Sequence, residues 1–388
     1  MEKQTLNFVT ELYVRRQLPH HYKEITNNLS DKKIFENHYK ESENIDVLIV
    51  EDLPRYLTIE RQGLPKNIKS LLVKTYPGFL IDFQNVKSLP EYLKQRFGKT
   101  SRYKLKREQR KLEDCFDITY KMYYGEMSEG EYNFIFEEFY RLLEIRSLEK
   151  GIKDNVNFAY KAEYFTRVRP MILEKKASFF VIYNGKNPID ICLNFHVKNT
   201  IFQYIRTYDI AYSKFNTGYT DLMKQIEWCI ENKIDSISFS KGDFYWKRRW
   251  CNTVYDYDYE LFFNKYSLKS KFVVYKLKYK SNARQFLREK GVIRKYHEFR
   301  DSRHRRLKSK KTFKSFKINI SKYEGEYDIL DHLKINYHLF EFNLLRKSVY
   351  EFLYATDEKE KDIVVYRSNG SAAKYIVIGK HNIAELSM

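Results

Sequence analysis

The sequence predicts a mixed α/β fold of stacked helical and sheet layers, and three observations carry that expectation. Three apolar runs follow one another across short turns: ASFFVIY, PIDICLNFHV and IFQYIRTYD, joined at Asn184-Gly185 and Asn199-Thr200. An Asn-Gly pair between apolar runs is a strong hairpin signal, so these segments read as an antiparallel meander. After the meander, a small polar loop leads into a helical period and then a strand, while two long helical patterns precede it.

In chain order, DVLIV (46–50), SLLVK (70–74) and FLIDF (79–83) read as strands, split by turns at Leu64-Pro65 and Pro77-Gly78. From 89 to 112 the pattern becomes helical. Residues 131–148 follow with Ile135, Phe136, Phe139, Leu142, Leu143 and Ile145 on one apolar face. Beyond the meander, Asn216-Thr217-Gly218 opens a helix carrying Leu222, Met223, Ile226 and Ile230, and 234–239 reads as a strand. The central order is therefore β-β-β-α-β with helices before it. Residues 267–306 read as a basic helix, and a small unit begins at Phe313: FKINI, a helix over 337–353, and a hairpin DIVVYR-SNGS-AAKYIVIG.

With 388 residues, 43% of them hydrophobic, the chain can bury one large or two ordinary cores. Gly 13 and Pro 7 against Tyr 34 and Phe 28 argue against disorder and collagen-like sequence. The first residues lack an apolar core of signal-peptide length, and no later run is long enough to span a bilayer, which predicts a soluble cytoplasmic protein. Cys115, Cys192, Cys229 and Cys251 lack CxxC spacing, so buried free thiols are expected, with no metal site.

The formal net charge of +20 is concentrated in two stretches. Residues 94–111 hold nine Lys/Arg against one acid, and 267–311 hold seventeen against three. Such stretches suit phosphates, of nucleic acid or of an anionic cofactor tail; they also suit plainly solvated helices. The loop Asn216-Thr217-Gly218-Tyr219-Thr220 has the same two readings. A helix N-terminus offers free N–H groups to an anion, but Asn and Thr there are also ordinary caps. GxxxxGK[ST] and GxGxxG are both absent.

The order of elements, with Tyr208-Asp209, NTGYTDLMKQIEWCIENKI and SFSKGDFYWKRRW, resembles the GNAT superfamily, and within it the CelD/BcsL-type acetyltransferases related to the FemAB aminoacyl transferases. The basic segment SRYKLKREQRKLE (101–113) is similar to one that precedes the acyltransferase domain in that family. The resemblance implies a GNAT-like fold, a central and mostly antiparallel sheet flanked by helices. It implies an acyltransferase domain over 89–264, with 1–88 an N-terminal α/β portion readable as a degenerate second GNAT-like half, and 265–388 a basic helix plus a small C-terminal α/β appendage.

By the same resemblance, Asn216, Thr217, Gly218, Tyr219 and Thr220 receive the pyrophosphate of acetyl-CoA or another acyl-CoA. Lys241 to Arg248 matches a family segment Gly-x-x-x-Tyr-Lys, with Gly242 and Lys247 kept, Trp246 in place of the Tyr, and Ser238 where many members carry an acid. Transfer of an acyl group from a thioester to an amine needs a base, donors for the oxyanion and an acid for the thiolate. Asp209 and Asp243 are candidates for the base, Tyr245 and Tyr208 for the proton donor, and Lys247 for a phosphate or carboxylate partner. Each also has a plain structural reading, as strand end, turn residue or one of many tyrosines. His196, inside LNFHV, reads as a core histidine, and Cys251 has no pattern marking a nucleophile.

The expected function is N-acyl transfer from acyl-CoA to a small amine, such as an amino sugar used in polysaccharide or envelope assembly. A FemAB-like transferase using aminoacyl-tRNA is the alternative, with the basic stretches holding RNA. A non-catalytic nucleic-acid-binding protein comes third, because no helix-turn-helix, zinc or RNA-recognition signature supports it.

Overall fold

The computed structural model describes residues 2–19, 21–37, 46–152, 155–292, 316–323, 325, 332–368 and 374–387. The chain divides into two compact units, Met1–Arg96 with Asn194–Tyr204 and Trp228–Arg305, and Phe97–Leu193 with Ile205–Glu227 and Arg306–Met388.

The first unit contains β1 (Lys3–Asn7), β2 (Tyr22–Asn27), β3 (Lys32–Glu36), β4 (Val47–Pro54), β5 (Leu57–Arg61), β6 (Ile68–Asp82) and α1 (Leu89–Arg96). The second begins with α2 (Lys99–Cys115), β7 (Ile118–Tyr123), α3 (Glu129–Lys150), α4 (Lys161–Leu173) and β8 (Ala177–Asn184). The long strands β9 (Asn187–Val197) and β10 (Thr200–Tyr208) and the helix α5 (Thr217–Glu231) pass from one unit into the other. Then β11 (Ser236–Lys241), α6 (Tyr245–Trp250), β12 (Thr253–Asn264) and α7 (Leu268–Glu289) complete the first unit. The second closes with β13 (Lys317–Lys322), β14 (His332–Lys334), α8 (Asn343–Thr356), β15 (Val364–Ser368), β16 (Lys374–Ile378) and β17 (Asn382–Ser387).

In the first unit the strands are ordered β1-β4-β12-β6-β11-β10, beside a separate sheet β3-β2-β5. Pairing is mostly antiparallel, with β1/β4 and β10/β11 parallel. The register between β10 and β11 joins Thr200–Phe202 to Ser236–Ser238. The two strands read on either side of Pro77-Gly78 are a single fifteen-residue strand, β6, and not two strands split by a turn. Pro77 and Gly78 stay in the ladder opposite Asp256 and Tyr255 of β12, beside a register shift. Glycine is needed because a Cβ at position 78 would stand 2.3 Å from the Tyr255 ring and 2.7 Å from that of Tyr257. The tight Pro-Gly pair serves ring packing, not a turn.

In the second unit the order β10-β9-β8-β7 continues the meander, and five strands form a further sheet, β13-β17-β16-β15-β14. The long helical pattern over 89–112 is broken at Gly98, whose extended backbone starts α2. Helix α3 begins with a capping box in which Ser128 and Glu131 satisfy each other's backbone N–H, and ends on Gly151 in the left-handed region. The C-terminal strands and α8 share one apolar core with the earlier part of this unit: Phe116, Tyr212, Phe215, Tyr350 and Val377 are all buried in it. The expected helix over 337–353 starts later, at Asn343, and the expected basic helix over 267–306 is seen from Leu268 to Glu289; residues 293–315 lie outside the described part.

Candidate active site

The site is built around the end of β10. Tyr208 is its last residue, and Asp209 caps the 3-10 turn Ile210–Phe215 by accepting from the Ala211 N–H at 2.9 Å. The other carboxylate oxygen of Asp209 accepts from Arg346 of α8 at 2.9 Å. Asn216 then takes a left-handed conformation, φ 53, and Tyr219 N–H donates to its carbonyl at 2.8 Å as α5 begins. The apolar face of that helix, with Leu222, Met223 and Ile226 buried, fixes which way its first turn points. Thr217 and Thr220 face inward and are buried, while Gly218 and Tyr219 stay partly exposed.

Beneath this turn lies a buried ion cluster. Arg206, on β10, donates through Nη2 to Asp190 of β9, and its Nε lies 3.3 Å from Asp221 of α5. Gln225, one turn on, donates to both oxygens of Asp221 at 3.0 and 3.1 Å. Thr217 also hydrogen-bonds Asp190. Both carboxylates are buried, and together they outnumber the single cation. Burial raises the Asp190 and Asp221 carboxyls above the usual carboxylate range, and Arg206 pulls in the opposite direction without overcoming it. Arg206 keeps part of its side chain at the surface, stacks on the Tyr208 ring at 4.8 Å, and lies against Gly218. Arg146 covers the same ring at 4.6 Å, so Tyr208 is flanked by two guanidinium groups. The Thr220 hydroxyl has no hydrogen-bond partner among the described residues.

Asp243, Tyr245 and Lys247 belong to the other unit, in the segment after β11. Ser240 and Gly242 both have positive φ, 62 and 105, which folds this segment back on itself. Lys247 is buried and donates to the carbonyls of Phe239 at 2.6 Å, Lys241 at 2.8 Å and Ser240 at 3.4 Å. Burial pushes its ammonium down to about 8. Asp243 pairs with Arg248, and Tyr245 is 74% exposed, which leaves its hydroxyl open to a ligand. Ser238 sits in a buried hydroxyl chain, 2.9 Å from Tyr255, which in turn donates to Tyr257 at 2.8 Å. His196 is buried against Trp228, and burial with nearby Arg16 depresses its imidazole to about 3, so it is neutral in the core.

Of the sequence candidates, Tyr208, Asp209 and Asn216–Thr220 lie in one unit around one strand end, and Asp243, Tyr245 and Lys247 in the other. Sequence reasoning missed Asp190, Arg206, Asp221 and Arg146. A signal was present for three of them. Asp190 and Arg206 interrupt apolar strand runs, and Asp221 stands next to Leu222 at an inward phase of its helix, where a charge requires a partner.

Residues 99–248 match the acetyltransferase (GNAT) domain, which spans less than half of the chain. That match runs from α2 through β8-β9-β10-α5-β11 to α6. The fold is GNAT-like. Acyl transfer is the activity class of the matched domain family. No curated protein matches its sequence. Matches among solved structures include a conserved protein of unknown function from Bacteroides thetaiotaomicron, at 9% identity and a TM-score of 0.37, covering 52% of this chain and 64% of that one. They also include L-PGS from Bacillus licheniformis, at 12% identity and a TM-score of 0.36 over 60% and 72% of the two chains. FemX is a third, at 8% identity and 0.38 over 56% and 72%. The chain thus spans just under two thirds of the Bacteroides protein.

Proposed function

We propose that the protein is an N-acyltransferase of the CelD/BcsL kind that moves an acetyl or other acyl group from acyl-CoA to an amine, with an amino sugar of polysaccharide or envelope assembly as the acceptor class. The observation that carries this reading is the acetyltransferase-domain match over 99–248, within which β10 runs through Asn216–Thr220 into α5. A partly exposed Gly218 at the start of a fifteen-residue helix gives backbone N–H groups and a favourable dipole for a pyrophosphate. Arg206 beside it presents a partly exposed guanidinium whose charge is already shared with Asp190 and Asp221.

In the reaction the unprotonated amine nitrogen attacks the thioester carbonyl and a C–N bond forms. The carbonyl π electrons move to oxygen, and collapse of that oxyanion breaks the C–S bond and releases the CoA thiolate. One proton leaves the amine and one reaches the thiolate. Tyr208, held between Arg146 and Arg206, is the proposed donor to the thiolate. Asp243 belongs to the other unit and accepts from Arg248 on both oxygens, so the amine proton is assigned to solvent water and not to it. Asp209, with both oxygens engaged by Ala211 and Arg346, is assigned to positioning. Lys247 holds the 239–241 carbonyls beside Asp243 and acts on a ligand through that segment.

One observation favours the aminoacyl-tRNA reading: α2 turns Lys104, Lys106, Arg107 and Arg110 to solvent beside the exposed Tyr103, a surface suited to a polyanion. The test is calorimetric titration with acetyl-CoA, then thiol release with a panel of amines. Acetyl-CoA binding and amine-dependent thiol release support the proposal; binding of charged tRNA without CoA replaces it.

A further inference from the structure

Helix α7 presents an unusual outer face. It packs on the sheet of the first unit through Ser270, Val273, Val274 and Leu277, with Ser281 donating to the Lys74 carbonyl at 3.1 Å. Its opposite side is not polar. Leu268, Phe272, Tyr275, Tyr279 and Phe286 recur at helical spacing on one outward stripe and range from 40% exposed at Tyr275 to 80% at Leu268. Eighteen residues separate the first from the last, so the stripe is about 27 Å long at 1.5 Å per residue.

Lysines border it on both sides. Lys276 lies 6.0 Å from the Phe272 ring on one flank, and Lys278 lies 5.9 Å from the Tyr275 ring on the other. The helix carries seven Lys/Arg against one acid. The two arginines of α7 contribute less to this face: Arg284 and Arg288 line a small cavity with Glu51 and Tyr76, and Arg288 donates to the Thr75 carbonyl. The outward charge is thus lysine on flexible stems beside an apolar ridge.

We infer that α7 docks this protein on an anionic lipid bilayer, lying in the plane of the headgroups with its aromatic stripe in the acyl boundary. A lipid surface satisfies both features at once: the ridge leaves water, and the flanking ammonium groups reach phosphates. RNA fits less well. Leu268 has no ring to stack on a base, and the arginines suited to bidentate phosphate recognition are turned to the sheet. The following segment, 293–315, carries ten Lys/Arg against two acids and would meet like charge on this face. Among the described residues no helix is long and apolar enough to cross a membrane, so the contact is peripheral.

The test uses the full chain in flotation with vesicles of phosphatidylcholine alone and of phosphatidylcholine with about one third phosphatidylglycerol. The protein floats with the anionic vesicles and not the neutral ones. The double variant Phe272→Ser/Phe286→Ser, both sites being exposed, keeps its melting temperature and loses about ten-fold or more in vesicle affinity. Phe272→Trp gives a fluorescence blue shift with anionic vesicles. Absence of flotation overturns the inference, as does undiminished flotation of the serine variant. Binding of bulk tRNA without any binding of vesicles overturns it too and assigns the face to nucleic acid.

Discussion

The guanidinium of Arg206 crowds the place of a side chain at Gly218: a Cβ there would stand 3.1 Å from Nη1 and 3.2 Å from Nη2, so the guanidinium would have to give by a few tenths of an ångström. The first turn of α5 and the ion cluster beneath it are therefore one construction. Gly218→Val crowds the guanidinium that pairs with the buried carboxylates, and overpacking of this kind costs about 1–3 kcal/mol. The expected outcome is a folded protein with a lower urea midpoint and at least ten-fold weaker CoA binding in calorimetry. Unchanged CoA affinity in the folded variant would refute the role given to the loop.

Arg206 itself is the counter-charge for two carboxylates. Arg206→Met leaves Asp190 and Asp221 buried without a cation, and a loss of about 3–5 kcal/mol is expected in urea denaturation. Adding Asp190→Asn and Asp221→Asn to it recovers part of that loss, because the uncompensated charge goes with them.

The same cluster gives a pH dependence of definite sign. Both carboxyls are raised in the folded chain by burial, so the folded state binds protons more tightly than the unfolded one. Their contribution to stability is full below the ordinary carboxylate range and is lost as pH rises toward the raised folded values. Urea midpoints at about pH 5 and about pH 9 measure it. Asp221→Asn flattens the profile; an unaltered slope in that variant would show that the cluster does not titrate.

Asp209 and Arg346 tie β10 to α8 within one unit. Arg346→Leu leaves Asp209 half-satisfied and costs about 2–3 kcal/mol in a differential scan. If Asp209 positions and does not exchange protons, Asp209→Asn lowers kcat only a few-fold and leaves the pH profile of kcat unmoved. A fall in kcat of about a hundred-fold or more in the folded variant would instead make Asp209 the base.

Lys247 tests the segment after β11. Its ammonium is the shared donor for three carbonyls, so Lys247→Met leaves Phe239, Ser240 and Lys241 carbonyls short of a partner, at about 1–3 kcal/mol in total. Thermal melting reads the loss directly.

The meander was legible because Asn184-Gly185 and Asn199-Thr200 punctuate three apolar runs, and turn chemistry is local. Helix α5 was legible from its apolar spacing. The continuous β6 was not, because Pro77-Gly78 is a turn signal in isolation, and only the rings of Tyr255 and Tyr257, far along the chain, turn it into a packing device. The ion cluster was missed for a related reason. Apolar periodicity treats Asp190, Arg206 and Asp221 as interruptions, whereas their meaning comes from three elements converging on one buried point. Tyr208, Asp209 and the 216–220 loop stood out as a strand end feeding a helix, but their neighbours Arg146 and Arg346 come from sequence too distant to be paired by pattern.

The most direct measurement is isothermal titration of the purified chain with acetyl-CoA and CoA, run beside bulk tRNA at two salt concentrations. The expected result is saturable one-to-one CoA binding that is weakened in Gly218→Val, and tRNA binding that is absent or nonspecific. Tight, steeply salt-dependent tRNA binding with no CoA heat would contradict it and make the acyl donor an aminoacyl-tRNA.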